Sequence, residues 1–165
     1  MALTQSLADA YLGGLNVFAR TRTGKWYIKH IAPHVDPPLL TLTGGRVSSI
    51  YPIPTMLLTT IGARSGQRRT HPVVYLVDDT GLIIVGSNFG STRQPAWYHN
   101  LRANPKVDVL ASGHTGSYMA SEITEPDARD RAWALAVEMA EVWSDYEASA
   151  GDRTIPLIRL APVSA

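Results

Sequence analysis

The spacing of apolar residues changes along this chain, and each change marks a different kind of element. Leu3, Leu7, Tyr11, Leu15 and Phe18 recur at steps of four, four, four and three, the stripe of an amphipathic helix, weakened in its middle by Gly13 and Gly14. Arg20, Arg22, Lys25 and Lys29 follow, with Trp26 and Tyr27 among them. That mixture suits a membrane surface, and equally the solvated end of a helix packed across the domain. Asp36-Pro37-Pro38 ahead of LLTLTGG then predicts a short helix capped by Asp36 and ended at Gly44 and Gly45.

Beyond this point the period shortens. Segments 55–61, 69–77, 82–87, 107–111, 117–123 and 155–160 are rich in branched and aromatic residues and are separated by Gly or Asp turns, which predicts six strands. Asp79-Thr80-Gly81 and the run from Gly113 to Gly116 have hairpin length. Two helices interrupt the strands. One starts near Pro95 and ends by Pro105; the other runs from about 125 to 146, with Thr124 and Asp127 as a capping pair and Leu135, Met139, Val142 and Trp143 on one face. The expected fold class is α+β, a small antiparallel barrel decorated by helices, the last of them lying across a barrel opening.

Composition removes several chemistries. The chain of 165 residues has no Cys, so thiolate zinc sites, iron–sulfur clusters and Cys nucleophiles are excluded. The uncharged stretch from Val47 to Ala63 is broken by Pro52 and Pro54 and is too short to span a bilayer. The N-terminus does not read as an export signal, which places the chain in the cytoplasm. A net charge of +1 hides an asymmetry: residues 1–110 hold eleven Lys+Arg against five Asp+Glu, and the remainder holds four against nine. A basic front favours an anionic ligand. Its cations are too dispersed for a nucleic-acid groove, so no polynucleotide partner is expected. No pair of glycines is separated by one residue, and GxSxG, HExxH and Walker patterns are missing. His30 and His34 have no carboxylate at a zincin spacing, so no metal is expected.

Two polar loops remain. Residues 62–69 offer Arg64, Arg68 and Arg69 with a serine and two glycines, a set that can grip phosphate or carboxylate and that also makes an ordinary solvated hairpin turn. Residues 86–98 end a strand in a small polar turn and open a helix at Pro95, with Trp97 in its first turn. Such a turn can present N–H donors and an indole face to a planar ring, and equally can be a capped helix whose Trp fills the barrel mouth.

These residues carry a resemblance. The segments GARSGQRRTHPVVYL, VGSNFGSTRQPAWYHNLRANPKVDV and DRTIP, preceded by IAPHVDPPLLTLTGGRVSS, resemble the deazaflavin-dependent nitroreductase family, oxidoreductases that use coenzyme F420. The likeness covers roughly residues 28–162 and rests on GxxSGxxR, SNxG, PAWxxNLxANP and RTIP occurring in order. It implies a split β-barrel of the pyridoxamine-oxidase, FMN-binding kind. It also implies hydride transfer from reduced F420 to a small-molecule acceptor that is quinone-like, nitroaromatic or an activated olefin.

By the same resemblance, Ala63, Arg64, Ser65 and Arg69 match positions that hold the cofactor's phosphate and glutamyl tail, and Pro72 and Val74 line the approach to the deazaflavin. Ser87, Asn88, Gly90, Pro95, Ala96 and Trp97 match the surroundings of the ring and its polyol, Ser87 nearest the reactive edge. Trp143 and Tyr146 match the acceptor side, and Ser87 and Tyr146 are the candidate proton donors. The chain departs from many relatives at Ala63-Arg64, where they carry two basic residues, and at Asn88-Phe89, where they carry lysine and glycine. Arg68 and Arg93 are the nearest further cations. FMN or haem on the same fold, and a non-catalytic F420-binding protein, stay open as alternatives. A single domain is expected, with the helical segment 1–30 touching the inner face of the cell membrane peripherally and a homodimer left open.

Overall fold

The structure, a computed structural model, describes Phe18 and residues 20–163. Its elements are helix α1 (Arg22–His30), α2 (Ala32–Leu42), strands β1 (Thr55–Ile61), β2 (Arg68–Asp78) and β3 (Gly81–Val85), a single 3-10 turn at Asn88–Gly90, and α3 (Ala96–Ala103). Strands β4 (Lys106–Leu110) and β5 (Gly116–Glu122), helices α4 (Pro126–Met139) and α5 (Val142–Ser149), and β6 (Leu157–Pro162) complete the chain. The six strands close into an antiparallel barrel in the order β1-β2-β3-β6-β5-β4. Every expected strand is present with its ends moved by at most two residues.

Alternation explains the closure. On β3, Leu82 and Ile84 point into the barrel with Met56, Leu58, Val107, Val109 and Leu160, and Tyr98 and Leu101 of α3 pack against this interior. The intervening Ile83 and Val85 point outward with Leu76 and Leu157, against Ala132, Ala136, Trp143 and Tyr146 of α4 and α5. A strand buried on both faces reads as an unbroken apolar run, which is why β3 shows no polar alternation. The β2–β3 turn is fixed by Asp78, whose Oδ1 accepts from the Thr80 amide at 2.8 Å and its hydroxyl at 2.6 Å.

Four expectations change. Asp36 lies inside α2 instead of capping it, because the helix starts at Ala32 with Pro33 in its first turn. The capping pair Thr124–Asp127 is replaced by Glu125, whose carboxylate accepts from the amides of Asp127 and Ala128. The long helix after it is two helices. Ala140 adopts an extended conformation (φ −158°, ψ 118°) and is buried, so packing breaks the helix where no Gly or Pro announces it. The buried positions of α4 are Ala132 and Ala136, while Leu135 is exposed, and the break turns Val142, Trp143 and Tyr146 of α5 toward the sheet. The apolar stripe from Leu3 to Leu15 lies outside the described residues; Phe18 meets the Tyr27 ring edge-on.

Candidate active site

A cavity of about 330 Å3 lies where β2, the segment after β3, α5 and the α1–α2 pair converge, large enough for a small-molecule ring system. Pro72 and Val74 of β2 line it, with Ser87, Asn88, Pro95, Ala96 and Trp97 from the segment that leads into α3. Trp143 and Tyr146 line it from α5. The fold therefore brings nine of the expected site residues to one cavity from three separate stretches of sequence.

The β3–α3 loop has an unusual backbone. Asn88 and Phe89 hold positive φ values of 46° and 57°, followed by Gly90 at 72°. Gly90 does not touch the cavity; a Cβ there would meet the Ser149 Cβ at 2.9 Å and the Tyr146 carbonyl oxygen at 3.0 Å, so this glycine lets the loop approach α5. The loop is bonded to Arg153, on the chain that follows α5. Its Nε donates to the Ser91 carbonyl at 2.8 Å, Nη1 to the Gly86 carbonyl at 2.9 Å and Gln94 Oε1 at 2.7 Å, and Nη2 to the Ser87 carbonyl at 2.5 Å. Burial lowers the Arg153 pKa from the usual arginine value.

Ala63, Arg64, Ser65 and Arg69 stand outside the cavity lining, in and beside the β1–β2 loop, and are exposed. Their link to it is Asn100. This buried side chain accepts from the Ala63 amide at 3.0 Å and donates to the Thr60 hydroxyl at 3.0 Å, one helical turn beyond Trp97. The loop is thereby fixed to the helix whose first turn lines the cavity. Arg68 is engaged by Asp108 at 2.8 Å, and Arg69 donates to Gln67 at 2.9 Å. Arg64 and Arg93 have no side-chain partner among the described residues, which leaves both guanidinium groups available to an anion.

Inside the cavity the polar groups are few and specific. The Trp143 indole Nε1 is buried with no partner among the described residues. Asp36, 1% exposed, also lines the cavity, and one of its carboxylate oxygens accepts from the Ser49 amide at 2.6 Å. Burial, with Arg69 nearby, lowers the pKa of His71, so this cavity residue is a neutral imidazole at physiological pH. Burial, aided by Asp145, pushes the Tyr146 hydroxyl up to about 12, so it keeps its proton. The Lys25 ammonium sits 5.2 Å from the centre of the Tyr146 ring, and Arg20 bridges to Glu141, at the N-cap of α5, and to Asp145 within it. Two of the basic residues ahead of the fold thus face α5. Among the described residues no cluster of potential metal ligands occurs, and no helix is long and apolar enough to cross a membrane.

Sequence reasoning passed over two of these residues. Arg153 belongs to the RTIP segment that carries the resemblance, but a coil arginine shows no sign of what it will bond. Asp36 was read for its neighbouring prolines, and nothing local signals a buried cavity carboxylate.

An orphaned indole N–H beside apolar and aromatic surface, with one unpaired guanidinium on the adjoining β1–β2 loop and one on the 86–97 segment, fits a molecule with a planar, carbonyl-bearing ring at one end and an anionic tail at the other. Comparison with known proteins agrees. A curated F420H(2)-dependent quinone reductase of Mycobacterium tuberculosis is 34% identical over 139 residues, 77% of this chain and 92% of that protein. Among solved structures, an F420-H2 dependent reductase termed FDR-A is 35% identical with a TM-score of 0.57, over 65% of this chain and 93% of the other. A haem storage protein from Vibrio cholerae, 14% identical with a TM-score of 0.53, covers 79% of this chain and 92% of its own and shares the fold alone. Residues 38–162 match the family described as F420H(2)-dependent quinone reductase, and the chain belongs to that family of F420-dependent oxidoreductases.

Proposed function

We propose that this chain reduces a quinone-like acceptor in the cavity bounded by β2, the 86–97 segment and α5, with F420H2 as the reductant. The observation that carries the reading is the unpartnered Trp143 N–H in a wall shared with Ser87, Trp97 and Tyr146. When bound, the reduced deazaflavin supplies a hydride as a two-electron donor. The chain's residues do the rest. Pro72, Val74 and Trp97 give apolar faces that hold a ring and exclude water. Ala63, Arg64 and Ser65, with Arg69 at the strand edge, take an anionic tail, and Arg93 supplies the second free guanidinium that Ala63 lacks. Asn88, Pro95 and Ala96 shape the polyol side, with Gly90 setting the turn. Ser87 and Tyr146 hold protons at their hydroxyls, and Tyr146 donates to the oxygen that gains charge as the acceptor is reduced.

Titration of the purified protein with oxidised F420 against FMN, followed by fluorescence, tests the cofactor. Saturable binding of F420 alone, weakened by Arg64→Ala, is the expected result; tight FMN binding without an F420 response overturns it. Oxidation of F420H2 with menadione, a nitroaromatic and an activated enone then ranks the acceptors, and no turnover with any of them would leave a binding protein. The outer face of α1 and α2 supports peripheral membrane contact, since Trp26 is 57% and Leu42 84% exposed. Flotation with anionic liposomes checks it: a Trp26→Ala, Leu42→Ser variant that floats as well as the wild type refutes that contact.

A further inference from the structure

We propose that Arg153 is a positioning residue for the reaction: its guanidinium holds the left-handed turn of the β3–α3 loop and thereby sets Ser87 and Asn88 in the cavity wall. The inference deepens the cofactor reading above and rests on it.

The turn does not hold itself. For Gly90 a positive φ carries little penalty, but Phe89 at 57° occupies a region that bulky side chains avoid unless the surroundings enforce it. The local backbone bonds are two, Gly90 N–H to the Ser87 carbonyl at 3.1 Å and Ser91 N–H to the Asn88 carbonyl at 3.0 Å, joined by Asn88 Nδ2 to the Arg93 carbonyl at 2.9 Å and Arg93 N–H to the Ser91 hydroxyl at 3.2 Å. Arg153 supplies the long-range hold. Its acceptors lie on both sides of the turn, Gly86 and Ser87 before it, Ser91 and Gln94 after it, and each guanidinium nitrogen has its own. A planar fork can bracket the turn in this way, whereas the single nitrogen of lysine cannot reach both sides.

The same grip couples the two halves of the cavity. Arg153 follows α5 directly, and the turn it holds packs on that helix, with the Phe89 ring edge-on to Tyr146 at 6.2 Å and Gly90 against Tyr146 and Ser149. Gln94 donates back to the Thr154 carbonyl at 3.3 Å. Ser87 on one side and Tyr146 on the other are thus registered through one side chain that does not itself line the cavity.

The test compares Arg153→Lys in the wild-type chain and in a Phe89→Gly chain, where the left-handed backbone no longer opposes a side chain. Two quantities are read: the Kd for oxidised F420, and hydrogen exchange of loop amides in the cofactor-free protein. Arg153→Lys is expected to raise Kd about tenfold in the wild type and less than about threefold in Phe89→Gly. Exchange at Gly90 and Ser91 should accelerate while that of Ile84 in β3 stays unchanged. Gln94→Leu, which removes one of the four acceptors of Arg153 together with the Gln94 bond to the Thr154 carbonyl, should loosen the same amides to a smaller degree and keeps the test valid where Arg153→Lys folds poorly. Loop exchange unaffected by both variants, or equal losses of affinity in the two backgrounds, overturns the proposal. Faster loop exchange cancelled by Phe89→Gly in a protein that does not bind F420 upholds the positioning role and removes the cofactor reading instead.

Discussion

Asn100 makes a prediction that reaches from stability to binding. Its carboxamide spends both ends on main site elements, accepting from the Ala63 amide and donating to the Thr60 hydroxyl. Asn100→Ala removes both bonds, worth about 1 kcal/mol each net. It also leaves the Ala63 N–H short of a partner and Thr60 with only its 3.4 Å contact to the Arg69 carbonyl. The expected loss is about 2–4 kcal/mol, which for a domain of this size lowers Tm by about 5–12 °C. Urea unfolding followed by Trp fluorescence should show the midpoint falling with the slope unchanged. Thr60→Val keeps shape and removes the second bond together with the weak 3.4 Å contact to the Arg69 carbonyl, so about 1 kcal/mol is expected there. The difference between the variants isolates the Ala63 link, and Asn100→Ala alone should weaken F420 binding, because the loop that carries Arg64 loses its anchor. Equal losses from both variants, or a loss under about 0.5 kcal/mol from Asn100→Ala, would refute this account of the loop.

Three further outcomes are expected. Gly45→Ala should cost about 3 kcal/mol or more, since at φ 81° its Cβ would fall 2.5 Å from Ala111 backbone atoms. Gly44→Ala, at φ 62° with no atom nearby, should cost about 1 kcal/mol, and thermal unfolding of the pair distinguishes collision from conformation. Burial raises the Asp78 carboxyl, but hydrogen bonds from Thr80 and the Arg159 guanidinium outweigh it, and the group ends below the usual carboxylate range. Its contribution is therefore present above the unfolded value of about 4 and is lost as pH falls through the lower folded value; urea midpoints should decline less steeply in Asp78→Asn than in the wild type as pH falls from the unfolded value to the folded one. Tyr146→Phe should lower kcat about a hundredfold with the F420 Kd nearly unchanged, and steady-state assay beside titration checks the split.

The strands were readable because each alternates or runs apolar between Gly and Asp punctuation, and the antiparallel pairing follows from hairpins as short as Asp78 to Gly81. The cavity wall from Ser87 to Trp97 was readable because its residues are contiguous. What was hidden depends on long-range packing. The bend at Ala140 has no local breaker, and it alone aims Trp143 and Tyr146. Glu125 displaced Thr124 as the cap because the helix begins one residue later, at Pro126. Asp36, followed by two prolines, has the pattern of a helix start, yet Ala32 and Pro33 open the helix a turn earlier and carry the carboxylate into the cavity. Arg153 sits in irregular chain, 66 residues from Ser87, where no periodicity operates.

Among the described residues every strand of the barrel pairs with two neighbours, but β2 meets β1 over Arg68–Val74 and β3 only over Tyr75–Asp78, so its first half is bonded on one side. A second chain could extend the sheet only along that short stretch, where Pro72 lacks an N–H to donate and His71 to Val74 line the cavity. Elsewhere on the barrel, aggregation by sheet extension has to wait for the ring to open, which ties the working lifetime of the protein to its rate of unfolding.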